Sequence, residues 1–328
     1  MTIGTWNIVV HGGAGAISRD RLRPAQDQAY RVALTQATQA GADVLRGGGD
    51  GLAAIEAAIL VLEDDPLFNA GRGAAFSAEG RNELDASIMD GATLRAGAVT
   101  GITHTRHPIS LARAVMEHSP HVMLVGAPAE AFGASHGLEQ VAPSYFFVER
   151  RWRSLERFLS AEHLPMPQRP PGVSQAPDVR AELTHDEGKH GTVGVVVRDT
   201  FGNLAAGTST GGITGKRWGR VGDSPIIGAG TYASNASCAV SATGAGEFFI
   251  RLAVAHAVCA RIELGGLSLQ AAVDDVVQNR LAALGGEGGV IAVAGDGEMA
   301  WSFNTPGMYR ASLGHDRPLT LAIYKDEA

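Results

Sequence analysis

The stretch from Gly191 to Gly212 constrains the fold more than any other part of this 328-residue chain. Val193 to Arg198 is apolar and rich in β-branched side chains, the composition of a buried strand. Asp199-Thr200-Phe201-Gly202-Asn203 follows as a turn. With Gly202 in the left-handed region, a three-residue loop closes by pairing Asp199 with Asn203. Carried outward, that register opposes Arg198 to Leu204, Val193 to Ser209 and Thr192 to Thr210. Two threonines from opposite ends of the stretch thus become cross-strand neighbours at the open end of a hairpin. A slip of one residue would put them on opposite faces. Taken alone, such a pair only stabilises a sheet.

What precedes Thr192 changes that reading. Residues 150 to 190 lose the apolar rhythm, hold Pro165, Pro167, Pro170, Pro171 and Pro177, and end in the polar run Thr184 to His190. A segment of this composition is a poor core element and is expected to be a mobile linker. A linker that ends at Gly191, directly before a strand, suggests a chain break between Gly191 and Thr192. Cleavage there would give Thr192 a free α-amine. A hydroxyl nucleophile needs a base, and an α-amine with an unperturbed pKa of about 8 can serve.

The pattern Gly191-Thr192-Val193-Gly194 with Thr208-Ser209-Thr210-Gly211-Gly212 resembles the plant-type L-asparaginase and isoaspartyl peptidase family. Its members are N-terminal-nucleophile hydrolases that activate themselves by cutting before the threonine.

The rest of the chain can be weighed against that resemblance. A hydrophobic content of 45% and a charged content of 19% suit one large α/β domain or two average ones. The net charge of −7 argues against a nucleic-acid or anionic-membrane partner. Cys238 and Cys259 stand outside any metal-type spacing and read as buried free thiols. With neither a leader pattern nor a long apolar run, a cytoplasmic protein is expected.

Trp6 to Val10 reads as a strand running into His11-Gly12-Gly13-Ala14-Gly15, which reads as a tight turn near a site. It lacks the Lys-Ser/Thr of a phosphate-binding loop, and the family opens with a similar segment. Residues 24 to 46 and 50 to 62 read as helices, the second capped by Asp50. Strands are expected over residues 83 to 91, 96 to 102 and 121 to 125, with a helix from His107-Pro108 to about Met116. This order suits a layered α/β protein.

The acids Glu63, Asp64 and Asp65 before Pro66 read as a solvated helix end or as a side-chain cation site. The resemblance adds a sodium-binding loop held by the main-chain carbonyls of Leu62, Glu63, Asp65, Phe68, Ala70 and Arg72. It also places Asn69 behind the nucleophile.

Beyond the hairpin, Gly219-Arg220-Val221-Gly222-Asp223-Ser224-Pro225 holds an Arg and an Asp three apart. An Arg fork binds a carboxylate and an Asp an ammonium, so together they could clamp a zwitterion, although an ordinary surface pair has the same spacing. In the resembling family the clamp roles fall on Arg220 and Asp223, and Gly215 and Trp218 depart from its commoner residues. Thr243-Gly244-Ala245-Gly246-Glu247 precedes a helix expected over Phe248 to Leu264. Thr243 could cap that helix, or its hydroxyl and the Gly244 amide could hold an oxyanion. The resemblance favours the oxyanion and adds Gly246 to the substrate-binding residues. A further helix over about 267 to 284 and a hairpin of 289 to 293 with 298 to 303 complete the pattern.

The resemblance runs from His11 to near the C-terminus. It implies an αββα sandwich cut into an α chain of 1–191, with a linker over about 150–191, and a β chain of 192–328, paired as (αβ)2. No organic cofactor is implied, and the substrates would be L-asparagine and β-aspartyl dipeptides. In that scheme Thr192 attacks, its α-amine is the base, Thr210 orients it, and Thr243 and Gly244 hold the oxyanion. A glycosylasparaginase or an uncut amino-acid-binding protein would share much of this pattern.

Overall fold

The computed structural model describes residues 4–173, 178–184 and 191–327. Its centre is an eight-stranded sheet in the order β12-β11-β1-β5-β6-β2-β3-β4. The strands are β1 (Asn7–Gly15), β2 (Leu84–Asp90), β3 (Ala96–Ile102), β4 (Met123–Val125), β5 (Val193–Arg198), β6 (Leu204–Thr210), β11 (Gly307–Gly314) and β12 (Arg317–Tyr324). Only β3 and β4 run parallel. A second sheet, in the order β10-β9-β8-β7, holds β7 (Thr231–Ala233), β8 (Cys238–Gly244), β9 (Gly288–Ala294) and β10 (Met299–Phe303).

Side-chain alternation builds three apolar seams. Ile8, Val10, Val193, Val195 and Val197 face helices α1 (Pro24–Arg46), α2 (Gly51–Asp64) and α3 (Pro108–His118), through residues such as Tyr30, Leu34, Ile55 and Ile109. The intervening Val9 and Val196, with Ala206 and Met89, point the other way and pack on Ala239, Ile291 and Val293 of the second sheet. That sheet's far face, through Val240, Ala242 and Val290, meets α7 (Val254–Glu263) and α8 (Leu269–Asp274). The layers are therefore helix, sheet, sheet, helix. Strands buried on both faces read as continuous apolar runs, and β5 is one of them.

The hairpin register is the expected one: Arg198 opposes Leu204 and Val193 opposes Ser209. Asp199 N–H donates to Asn203 O at 2.9 Å, and Gly202 sits at φ +84°.

Several expectations need correction. The segment His11 to Gly15 is not a turn but the second half of β1, with a bulge between His11 and Gly13 where its pairing to β11 shifts. The linker does not begin at residue 150, because α5 (Glu149–Ala161) is amphipathic and buries Trp152, Leu155 and Leu159 against Phe76. Pro177 and residues 185 to 190 lie outside the described residues. The helix expected over 248 to 264 is two helices, α6 (Gly246–Leu252) and α7, broken at Ala253 with φ +48°. The break turns the first amides of α7 onto the loop before β7: Ala255 N–H reaches Ala229 O and His256 N–H reaches Gly228 O. The residue capping α6 is Ala245, not Thr243, which lies in β8. In the segment 267 to 284, α8 continues into a π-helical turn over Asp275–Leu281. Finally, β4 passes directly into α4 (Gly126–Ser135), which the sequence reading lacked.

Candidate active site

Thr192 lies immediately before β5 and Thr210 ends β6, both on the face turned toward the second sheet. Their hydroxyl oxygens are 3.1 Å apart, and both residues are buried. The chain is continuous at Gly191, whose carbonyl oxygen lies 2.8 Å from Thr192 Oγ and 3.0 Å from Thr210 Oγ. Thr210 Oγ also accepts Gly212 N–H at 3.0 Å, which leaves its second lone pair for the Thr192 hydroxyl and its own proton for Gly191 O.

Asn69 completes this cluster from the loop after α2. Its Nδ2 donates to Gly191 O and to Gly212 O, each at 2.7 Å, while its Oδ1 accepts Ala75 N–H at 2.7 Å. Every polar atom of the amide is used, which fixes its orientation. The approach is close enough that a Cβ on Gly211 would stand 2.7 Å from Asn69 Oδ1 and 2.5 Å from Ala74 Cβ, so only glycine fits there. Gly191 O thus faces the Asn69 amide and the Thr210 hydroxyl, two donors able to stabilise charge on that oxygen.

Arg220 and Asp223 line the same narrow cavity, with Gly191, Thr192, Thr210 and Gly244. Its volume is about 10 Å³, room for one water and no more. Arg220 makes a two-pronged ion pair with Glu247, at 2.8 and 3.0 Å. Asp223 is buried, and its Oδ2 has no hydrogen-bond partner. Burial raises its pKa to about 7, with Arg220 opposing the rise and the nearby charges of Glu247 and Asp85 adding to it. A buried carboxyl oxygen without a donor is costly to ionise unless a cation reaches it. Gly246 packs tightly on both groups: a Cβ there would stand 2.9 Å from Asp223 Oδ1 and 3.0 Å from Arg220 Nη2.

Arg220 is presented by a tight turn. Arg220 N–H donates to Arg217 O at 3.0 Å, and the two central residues, Trp218 and Gly219, have φ of +58° and +68°. That is a type I′ geometry, which favours Asn or Gly over Trp at its first central position.

Thr243 and Gly244 end β8. Thr243 is fully buried and its Oγ accepts Ala14 N–H at 3.3 Å, tying β8 to the bulged end of β1. Gly244, at φ +155°, has backbone and Phe249 atoms within 2.8 Å of any Cβ. Of the pair, Gly244 lines the cavity and Thr243 sits behind it.

The acids that close α2, Glu63 and Asp64 with the C-cap Asp65, are paired with protein groups rather than freely solvated. Glu63 is buried, accepting Ser209 Oγ–H at 2.6 Å and Ile109 N–H at 3.1 Å, and burial raises its pKa. Asp64 pairs with Arg106 and Asp65 with Arg180. Among the described residues no group of three His, Cys, Asp or Glu could hold a metal ion. The two cysteines are buried and unbridged.

Sequence reasoning missed Glu247 and His11. Glu247 stands within the quoted Thr243–Glu247 motif, and its charge beside a Gly-rich turn was the available signal. His11 is fully buried, its Nδ1 3.1 Å from the Thr192 carbonyl oxygen.

A two-sheet sandwich between helices, with a threonine at the head of a central strand and its hydroxyl against the preceding carbonyl, defines the architecture of an N-terminal-nucleophile hydrolase. The comparison with known proteins narrows the class. The family model described as asparaginase matches residues 4–322, and the chain belongs to that family. The chain is 48% identical over 320 residues to the isoaspartyl peptidase of Salmonella typhimurium, covering 97% of this chain and 98% of that protein. Against the isoaspartyl peptidase of Escherichia coli the identity is 47%, covering 98% and 96%. Against the probable isoaspartyl peptidase/L-asparaginase 2 of Arabidopsis thaliana it is 42%, covering 98% and 100%. No described helix is long and apolar enough to cross a membrane.

Proposed function

We propose that the chain cuts itself between Gly191 and Thr192 and then hydrolyses β-aspartyl dipeptides and L-asparagine, releasing L-aspartate. The carrying observation is the contact of Thr192 Oγ with the Gly191 carbonyl, 2.8 Å from its oxygen, beside the Asn69 and Thr210 donors. In self-cleavage Thr192 Oγ attacks Gly191 C, and negative charge collects on the oxygen facing those donors. Collapse breaks the C–N bond, the Thr192 nitrogen takes the proton that Oγ gave up, and an ester joins Gly191 to Thr192 Oγ. Water hydrolyses the ester, leaving a Gly191 carboxylate and a free Thr192 amine and hydroxyl.

The uncut site has no room for an amino acid, so the new Gly191 carboxylate must swing out of it once the bond is cut. In turnover the amine takes the Thr192 hydroxyl proton as Oγ attacks the substrate's side-chain carbonyl. The leaving ammonia or amino acid takes that proton, and water then cleaves the aspartyl ester. Arg220 holds the α-carboxylate in place of Glu247, and Asp223 holds the α-ammonium. Gly244, with Thr243 behind it, faces the developing oxyanion.

Two fragments are expected by intact mass, the second beginning at Thr192, together with ammonia release from L-asparagine. An uncut chain that binds L-asparagine without releasing ammonia would instead establish the amino-acid-binding reading. Hydrolysis of a glycosylated asparagine in preference to both substrates would establish the glycosylasparaginase reading. The two fragments are expected to stay together as (αβ)2, which light scattering measures directly.

The raised Asp223 pKa sets a pH dependence. Below about 7 the carboxyl is neutral and cannot pair with an ammonium. Affinity of the cut enzyme for L-aspartate should therefore fall about tenfold per pH unit below that point, and Asp223→Asn should be weak and flat across the range. The sign for stability is opposite. A carboxyl whose folded pKa is raised binds more protons folded than unfolded, so ligand-free stability falls as pH rises from about 4 to about 7. A calorimetric titration in which wild type and variant show the same slope would remove Asp223 from the clamp.

We also propose a structural sodium ion in the loop of Leu62 to Arg72. Gly71, at φ +48°, and Gly73 let that loop fold on its own carbonyls: a Cβ would stand 2.3 Å from Glu63 O at the first and 2.2 Å from Phe68 O at the second. Neutral carbonyl oxygens suit a hard monovalent cation. Glu63 O and Asp65 O already accept Arg72 N–H and Phe68 N–H, and each keeps a second lone pair. The melting midpoint should be higher in sodium chloride than in choline chloride at equal ionic strength; equal midpoints would remove the ion.

A further inference from the structure

A chain of buried hydroxyls crosses the space between the sheets and joins the two halves of the site. It begins at the Thr192 carbonyl, 3.1 Å from His11 Nδ1. His11 Nε2 lies 3.0 Å from Ser241 Oγ, which lies 2.7 Å from Thr208 Oγ. Thr208 lies 2.6 Å from Thr231 Oγ, which lies 2.8 Å from Ser87 Oγ. Ser87 reaches the Ser224 carbonyl at 2.6 Å, next to Asp223. All five side-chain members are fully buried. His11, Ser87 and Thr208 come from the large sheet, Thr231 and Ser241 from the small one.

The chain has a defined chemistry. Both of its ends are carbonyls, which only accept. Burial lowers the His11 pKa to about 3, so the ring is neutral. Nδ1 faces a carbonyl and carries the proton, and Nε2 is then an acceptor for Ser241 Oγ–H. That choice makes Thr208 the donor to Ser241 at 2.7 Å, a shorter contact than its alternative acceptor Gly230 O at 3.3 Å, and Thr231 the donor to Thr208. The five side chains thus hold one proton fewer than the short contacts between the carbonyls require. The weak link falls at the Ser87 end, where Thr231 and the Ser224 carbonyl compete for one hydroxyl proton.

The sequence keeps space for this arrangement. A Cβ on Gly194, two residues after Thr192, would stand 1.9 Å from Ser241 Oγ and 2.3 Å from His11 Nε2. An inward-facing position on a central strand is thus left without a side chain, just where the imidazole meets the serine. Every proton in the chain has an acceptor, the shortfall being one unfilled lone pair at the Ser87 end, and directed networks of this kind rigidify the groups at their ends.

We propose that His11, Ser241, Thr208, Thr231 and Ser87 form a relay of positioning residues that fixes the main chain of Thr192, and so aims its hydroxyl and amine in the cut enzyme. This rests on the function proposed above. Arg220 is held by Glu247 outside the relay, and Ser87 and Thr231 keep their contacts with the Ser224 carbonyl beside Asp223 when Thr208 is changed, so a break at Thr208 acts on turnover and spares the clamp.

The test cuts the relay at its middle. Thr208→Val keeps the shape and removes the hydroxyl, and Thr208→Ser restores it. In cut enzyme, Thr208→Val should lower kcat for L-asparagine at least tenfold with KM within about twofold of wild type, and Thr208→Ser should recover kcat to within about threefold. Nitrogen NMR should show His11 as the Nδ1–H tautomer at pH 7 in wild type and in Thr208→Ser, with that signature lost or mixed in Thr208→Val; His11→Gln assigns the resonance. An unchanged kcat in Thr208→Val would overturn the relay, as would a loss that serine does not restore. If wild type itself releases no product from either substrate, the proposed function fails, and an Nε2–H tautomer in that protein would overturn the relay separately.

Discussion

Thr192→Ala is expected to remain a single 34.0 kDa chain after prolonged incubation, with kcat for L-asparagine reduced on the order of 10⁶-fold. One substitution removes three things at once. It deletes the only hydroxyl placed against the Gly191 carbonyl from the adjoining residue, so the acyl shift cannot start. Without cleavage the α-amine stays a peptide nitrogen and cannot act as base. The uncut linker also keeps the cavity at about 10 Å³, so L-asparagine cannot reach Arg220 and Asp223. Thr192→Ser separates these effects. It retains an Oγ and should still cut, more slowly, because the missing methyl frees its χ1 rotamer. Complete cleavage of Thr192→Ala at the same bond would show that Thr192 is not the attacking group.

The parts of the site that rest on local geometry were legible in the sequence, and those that rest on distant pairing were not. Gly202 fixed the turn, the turn fixed the register, and the register brought Thr192 to Thr210 without further information. Arg220 and Asp223 were readable because three residues of chain cannot separate them far. His11 was misplaced as a turn because three glycines in four residues usually end a strand. Here the strand continues, since β5 and β11 flank it and impose their pairing. The helix α5 was lost for a different reason. Its surface arginines Arg150, Arg153 and Arg157 equal in number the buried Trp152, Leu155 and Leu159, Arg151 is buried among them, and the prolines that follow coloured the whole segment. The relay from His11 to Ser87 had no local signal at all, because its neighbours in space lie at least 23 positions apart in sequence.

Asn69→Ala should slow self-cleavage by about 10² to 10³, the usual cost of losing one oxyanion donor. The amide lies 2.7 Å from the oxygen on which charge would gather. The same substitution leaves Gly212 O without its donor and Ala75 N–H without its acceptor, two buried main-chain groups. Each costs about 1–3 kcal/mol when unsatisfied, so a loss of stability accompanies the loss of rate and must be told apart from it. Asn69→Asp does this. Its carboxylate can still accept Ala75 N–H, but it offers the Gly191 oxygen a negative charge in place of a donor. If Asn69 acts on the developing oxyanion, the aspartate variant should cleave at least as slowly as the alanine variant while unfolding at a higher denaturant concentration. If Asn69 only braces the loop, cleavage rate should follow stability, and the aspartate variant would cleave faster than the alanine variant. Time courses of intact mass at a fixed temperature, read beside the denaturation midpoints, distinguish the two orders.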